Sequence, residues 1–221
     1  MKKLYPIKLL PARERVASAL RKAIFAQDLK EGEVLALEST AEQLGVSVTP
    51  VREAFQILAR DGFIALRPNK GAVVLGVQES LIRDHYELRA ILESAACRLI
   101  CEKNADLSGI IDAHEGSLQS VQEQDAREYG SYNQSFHFEI WTACGNERLR
   151  STVADLWNGL SVGIDTNAIE YAQLSLQEHA GVLEALQARN AELAQQRMYA
   201  HIMRSMNSML SHYKASSKPN G

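Results

Sequence analysis

The chain has 221 residues, 46% of them apolar, 23% charged and 6% aromatic, the composition of one large or two small soluble globular domains rather than a fibrous or disordered chain. No apolar run approaches the roughly 18 residues of a membrane span. The net charge of −3 is unevenly spread: residues 1–76 hold 12 Lys and Arg against 8 Asp and Glu, whereas residues 77–221 hold 12 against 19, so a basic first third suited to a polyanion precedes an acidic remainder.

The opening MKKLYPIKLLPARERV has basic residues but no long apolar core and no small-residue cleavage site. That argues against a secretory signal and for a cytoplasmic protein. Apolar residues Val16, Leu20, Ala23 and Ile24 predict a helix over 13–27. KEGEVL follows as a glycine turn into a short extended piece. STAEQLGV then predicts a short helix, with Ser39 as N-cap, Glu42 completing a capping box and Gly45 ending it. A second helix is expected to open at Thr49 as N-cap with Pro50 at the first helical position. It buries Val51, Ala54, Phe55, Leu58 and Ala59 and stops at Gly62. FIALRP and GAVVLGV are β-rich runs joined by Pro68-Asn69-Lys70-Gly71, a hairpin.

A helix, a helix–turn–helix and a hairpin follow one another in the order of a winged helix-turn-helix. The second helix of the pair lies in the major groove of DNA with its N-terminal residues at the base edges. Ser47, Val48, Thr49, Pro50 and Arg52 are therefore candidate DNA contacts, with backbone N–H groups suited to phosphate at that end. Ser39, Arg67 and the hairpin-tip pair Lys70 and Gly71 complete the candidate surface.

From residue 77 the pattern is helical throughout. The spacing predicts six helices, over 78–102, 106–123, 125–144, 146–163, 170–188 and 190–213, followed by a polar tail over 214–221. The expected organisation is thus a DNA-binding domain over 1–76 and an all-α bundle over 77–213, a mainly α fold with one small β wing. Cys97, Cys101 and Cys144 are too few and too widely spaced for a metal site and read as reduced core thiols.

Three of the six histidines lie on inward stripes. Asn133 and His137 are one turn apart in YNQSFHFEIW. His179 shares a face with Val182, Leu183 and Leu186, and His201 with Met198, Ile202 and Met209. Asn190 is the expected turn between the last two helices. His179 lies 11 residues before it and His201 11 after, so an antiparallel hairpin brings both to one level. Three imidazoles and an amide oxygen can hold one divalent metal, zinc or nickel by ligand type. Each histidine alone is as readily a hydrogen-bonded core residue.

The stretch GVSVTPVREAFQILARDG, then RPNKGA, then ELRAILESAA, resembles the GntR family of transcription regulators, FadR type, with a C-terminal FCD ligand-binding domain. About 145 residues after the wing is similar to the six-helix, VanR-like branch. The resemblance implies a homodimer on a pseudo-palindromic double-stranded operator, an Asp or Asn and three His as metal ligands, and a small carboxylic acid as effector. It implies an effector role for Arg89, with a salt bridge to Glu93 at i+4 as the structural alternative. Tyr132, Trp141 and Trp157 either line that cavity or pack the core. Two departures bear on specificity. Val48 stands where the family usually has an Arg that can read guanine, and Glu38 lies near a position that is Arg in some relatives. The rival readings are a regulator with a purely structural metal, or a metalloenzyme; no HExxH or general base at helical spacing supports the latter.

Overall fold

A computed structural model of the protein describes residues 11–25, 27–68, 71–157 and 168–216. The chain forms two compact units that meet in sequence between Gln78 and Glu79.

The first unit contains α1 (Ala12–Phe25), β1 (Val34–Leu35), α2 (Leu37–Leu44), α3 (Val48–Arg60), β2 (Ile64–Arg67) and β3 (Gly71–Val74). The two-residue β1 joins the hairpin, so the sheet has the antiparallel order β1-β3-β2, with Leu35 opposite Ala72 and Leu66 opposite the same residue from the other side. Helix α1 packs against α3, and α3 against β2, with Val16, Leu20, Ile24, Val51, Phe55 and Leu58 all buried. The buried guanidinium of Arg21 on α1 holds Asp61 at the end of α3 with an Nη2–Oδ2 distance of 2.5 Å.

Both helix starts differ from the sequence expectation. Helix α2 begins at Leu37 with Ala36 as N-cap, extended at φ −86° and ψ 139°. Ser39 is therefore inside the helix, where its hydroxyl accepts from Gln43. The reason lies upstream: β1 pairing delivers an extended Ala36, whose carbonyl takes both the N–H and the hydroxyl of Thr40. Helix α3 opens one residue before Thr49 at Val48, with Ser47 as the extended N-cap and no side-chain cap. Pro50 then sits at the third helical position, still within the first turn whose N–H groups have no intrahelical acceptor.

Gly71 at the start of β3 has φ +81°, and a Cβ there would lie 1.9 Å from the carbonyl oxygen of Leu35. Only glycine allows β1 to approach β3 so closely. Lys70, expected at the wing tip, lies outside the described residues.

The second unit is helical among the described residues: α4 (Glu79–Glu102), α5 (Ser108–Gln122), α6 (Ala126–Ala143), α7 (Glu147–Trp157), α8 (Ala168–Gln187) and α9 (Ala191–Ser216). Asp125 caps α6 by accepting from the N–H groups of Arg127 and Glu128. The turns after α4, α5 and α8 each place a non-glycine residue in the left-handed region: Asn104, Gln124 and Arg189. The last of these turns pivots on Arg189, one residue before the expected Asn190. Helix α9 continues past the expected end at 213 to Ser216. The expected last turn of the fourth helix, 158–163, lies outside the described residues, as does the tail from 217.

Candidate functional site

Ser47, Thr49 and Arg52 are exposed along the front of α3, and Val48 and Pro50 are half-buried there. No side chain caps the first N–H groups of α3, which leaves them open to an anion at the positive end of the helix dipole. Arg67 is exposed at the end of β2. Between α3, the start of α2 and the wing lies an open cavity of about 590 Å³, whose lining includes Glu38, Arg52, Gln56 and Arg67 over Phe55 and Leu66. Glu38 thus shares a groove with two arginines. This is the face a winged helix-turn-helix presents to DNA.

In the second unit, α6, α8 and α9 bring His137, His179 and His201 together, and all three are buried. The Nε2 atoms of His179 and His201 are 3.2 Å apart, and those of His201 and His137 are 3.3 Å apart. Packing fixes the rings: His179 stacks on Phe136 at a centroid distance of 4.1 Å, and His137 lies 4.7 Å from Trp157.

Each of two histidines is held from behind by a carboxylate. His137 Nδ1 is 2.6 Å from Glu93 Oε2, and His201 Nδ1 is 2.6 Å from Glu178 Oε2. Glu93 is fully buried and also accepts from Trp141 Nε1 at 3.1 Å and Arg89 Nε at 2.9 Å. Burial alone would raise its pKa, but the Arg89 charge, His137 and Trp141 outweigh burial and hold it at about 2. Glu178 is likewise lowered: burial pushes it up, and His201 and Arg204 more than offset that. Arg204 reaches both Glu178 oxygens and the Ser175 hydroxyl.

The carboxylates decide the tautomers. An ionised acceptor at Nδ1 keeps the proton there and leaves the Nε2 lone pair facing inward. Two such lone pairs on His137 and His201 meet at 3.3 Å, and His179 Nε2 can donate to only one of them. These lone pairs can converge on one shared electrophile. Burial drives His201 down to about 4 despite Glu178, and His179 well below the ordinary imidazole range, so protons do not supply it at neutral pH. A divalent cation fits. Nitrogens bonded at about 2.0–2.1 Å to one zinc ion lie roughly 3 Å apart, close to the two Nε2 separations of 3.2 and 3.3 Å found here.

The remaining residues expected at this site fall in different places. Asn133 is half-buried one turn before His137, and its Oδ1 accepts from the Tyr129 hydroxyl at 3.4 Å. Arg89 is buried and makes the Glu93 salt bridge, Nη2 to Oε1 at 2.8 Å, with its guanidinium 4.3 Å from the Trp157 ring centre. Tyr132 packs on α5 instead: a Cβ on Gly116 would meet its ring at 2.2 Å. Sequence reasoning did not identify Glu93 and Glu178 as the histidines' partners. The signal available was a pair of one-turn spacings, Ser175 with Glu178 on α8 and His201 with Arg204 on α9.

Comparison with known proteins places both units. The family model for the FCD domain matches residues 84–204, and that for bacterial regulatory proteins of the GntR family matches residues 12–74. The chain is 30% identical over 185 residues to the Nta operon transcriptional regulator of Aminobacter aminovorans, spanning 82% of this chain and 86% of that protein. It is 30% identical over 183 residues to the gluconate operon transcriptional repressor of Bacillus subtilis, spanning 79% and 72%. Among solved structures, E. coli McbR/YncC has a TM-score of 0.71 at 22% identity, covering 93% of this chain and all of that one, a likeness of fold. These relatives are transcriptional regulators, not enzymes, and the chain belongs to the GntR family of DNA-binding transcriptional regulators, its helical unit being an FCD domain.

Proposed function

We propose that this regulator binds a double-stranded operator as a homodimer and that a small carboxylic acid, held at a metal centre in the FCD domain, modulates that binding. The observation that carries the reading is the convergence of three buried, carboxylate-backed histidines in the helical unit of a chain that begins with a winged helix-turn-helix. His137, His179 and His201 would hold the ion, zinc or nickel by ligand type, with Asn133 as fourth ligand, and an ion that takes five or six ligands keeps positions open beyond these four. A bound ion supplies a Lewis-acid position for an anionic oxygen. Arg89 keeps donors beyond those given to Glu93 and would pair with a second carboxylate, with Trp157 beneath it. An effector with unequal affinity for two dimer geometries shifts the spacing of the two α3 helices. No described helix is long and apolar enough to cross a membrane; the proposed site of action is the cytoplasm, where operator DNA lies. Relatives named as operon repressors, for gluconate and for D-xylose utilisation, favour repression.

On DNA, Ser47, Thr49, Pro50 and Arg52 would face the major groove, with Ser39, Arg67 and the wing residues Lys70 and Gly71 on the flanking backbone. Val48 offers a methyl surface suited to thymine rather than the bidentate donors that read guanine.

Footprinting upstream of the protein's own gene, across a salt series, tests the reading. Two protected half-sites about 34–36 Å apart are expected, with affinity falling steeply as salt rises. Added zinc with a panel of carboxylic acids should change the protection. Val48→Arg should move preference toward guanine at one position per half-site by about tenfold or more. Absence of protection there and across a genomic DNA library would overturn DNA regulation as the function. Protection indifferent to metal and acid would leave a regulator whose metal site is structural only.

A further inference from the structure

The groove between α2, α3 and the wing holds three charged side chains, Glu38, Arg52 and Arg67. All three are exposed, and among the described residues none of them makes a side-chain hydrogen bond or ion pair. Glu38 shares the groove with both arginines yet pairs with neither. The starts of the two helices carry opposite electrostatics. Helix α3 has no acidic residue in its first turn and no side-chain cap, so its N–H groups can take a phosphate. Helix α2 has Glu38 in its first turn. A carboxylate there complements the helix dipole from within and repels a phosphate. The part of a duplex that suits the start of α2 is therefore not the backbone.

An ionised carboxylate can only accept hydrogen bonds. In the major groove guanine offers the acceptors N7 and O6, and thymine offers O4 and a methyl group, so neither can satisfy it. The amino donors are cytosine N4 and adenine N6. Adenine N6 lies between two acceptors, its own N7 and the O4 of the paired thymine. Cytosine N4 has an acceptor on one side only, the O6 of the paired guanine. A carboxylate thus meets less repulsion at cytosine, and a guanidinium beside it, that of Arg52, can donate to the same guanine O6. Gln56, also in the groove, donates as well as accepts and has no such preference for cytosine.

We propose that Glu38 is a specificity-determining residue that accepts from the N4 amino group of a cytosine at one position in each half-site. The assignment rests on the DNA-binding reading above and adds a base contact from α2, outside the recognition helix. One acceptor beside donors in the groove is the complement of a C·G pair, which offers one donor beside acceptors. A first-turn Glu that only supports the helix dipole sets no base preference, so the two roles predict different outcomes.

Selection from a random duplex library by the full-length protein, followed by titration of the selected duplex and its single-pair variants, tests the assignment. The unmodified protein should select cytosine at one position per half-site, and replacing that C·G pair by any other should weaken binding about tenfold or more. Glu38→Gln should shift the preference at that position toward adenine, because an amide accepts from N6 and donates to N7 together. Glu38→Ala should bind all four pairs with nearly equal affinity, and each of them more tightly at low salt, since a charge that repels the backbone is gone. Both variants should stay folded, Glu38 being exposed. If the unmodified protein and Glu38→Ala select the same bases, the assignment is overturned and the DNA-binding reading stands. A position that depends on Glu38 but prefers a base other than cytosine also overturns it. A protein that selects no sequence at all overturns both.

Discussion

Glu93 bears on three partners at once: it holds His137 in one tautomer, neutralises Arg89 and accepts from Trp141. Replacing it with Gln removes the charge and keeps the shape. The expected result is a loss of about 10–100-fold in zinc affinity, the usual effect of removing a group that orients a metal ligand. The zinc-free protein should also lose on the order of 3 kcal/mol of stability, because Arg89 is left buried without its counter-ion. Competition against a chromophoric chelator and urea denaturation read the two effects separately, and unchanged zinc affinity would show that Glu93 does not tune the site. The same cluster sets a pH dependence. His201 is lowered to about 4 by burial against Glu178's pull, while in the unfolded chain it titrates near 6.5. Between those values the unfolded state binds the extra proton, so stability rises with pH across that window and is lost as pH falls from 6.5 toward 4. Glu93, held near 2, acts in the same direction below its ordinary carboxylate value. The zinc-free protein should therefore show a urea midpoint that falls steadily from pH 7 to pH 4 at constant slope; a flat midpoint would mean the histidines are not buried in neutral form.

Glycines set how closely elements approach, Gly71 between β3 and β1 and Gly116 between α5 and α6. Gly116 on α5 lies under the ring of Tyr132 on α6, and an added methyl group would sit 2.2 Å from that ring. Gly116→Ala should force the ring aside and destabilise the FCD domain by about 1–3 kcal/mol, although alanine is the better helix former by roughly 1 kcal/mol. Thermal unfolding decides which effect wins, and a stabilised variant would mean that Tyr132 moves freely. At this scale the sequence was most readable where one element's own periodicity suffices. The six helices described in the FCD domain and the hairpin follow from spacing and from Gly and Asn punctuation alone. Helix starts were less readable because tertiary pairing decided them: β1 fixes an extended Ala36 and so moves the start of α2 ahead of Ser39. The β1 strand itself, two residues long, has no periodicity to detect and exists because β3 offers it an edge. The histidines were readable because each sits on an apolar stripe, where a polar ring must be satisfied. Their carboxylate partners were not, since Glu178 looks like a surface residue until α9 brings His201 and Arg204 against it.

At the scale of the whole molecule, the metal would join elements that are remote in sequence. His137 and His201 are 64 residues apart, and an ion bound to both, and to His179, constrains α6, α8 and α9 together. The unfolded chain offers no such preformed site, so metal binding adds to folding stability by mass action. With free zinc at about 100 times its dissociation constant the gain is on the order of 3 kcal/mol, which for a unit of this size corresponds to a rise of roughly 10 °C in Tm. His179→Ala should abolish the rise, and a chelator should reverse it in the unmodified protein. A second addition then separates a structural metal from a sensing one. A carboxylic acid that occupies the ion's open position raises Tm further only when zinc is present, and Arg89→Lys should diminish that second increment while leaving the first. Zinc that stabilises with no acid adding to it would fit a permanently filled structural site, and zinc with no effect at all would mean that three converging imidazoles in this FCD domain do not bind the ion.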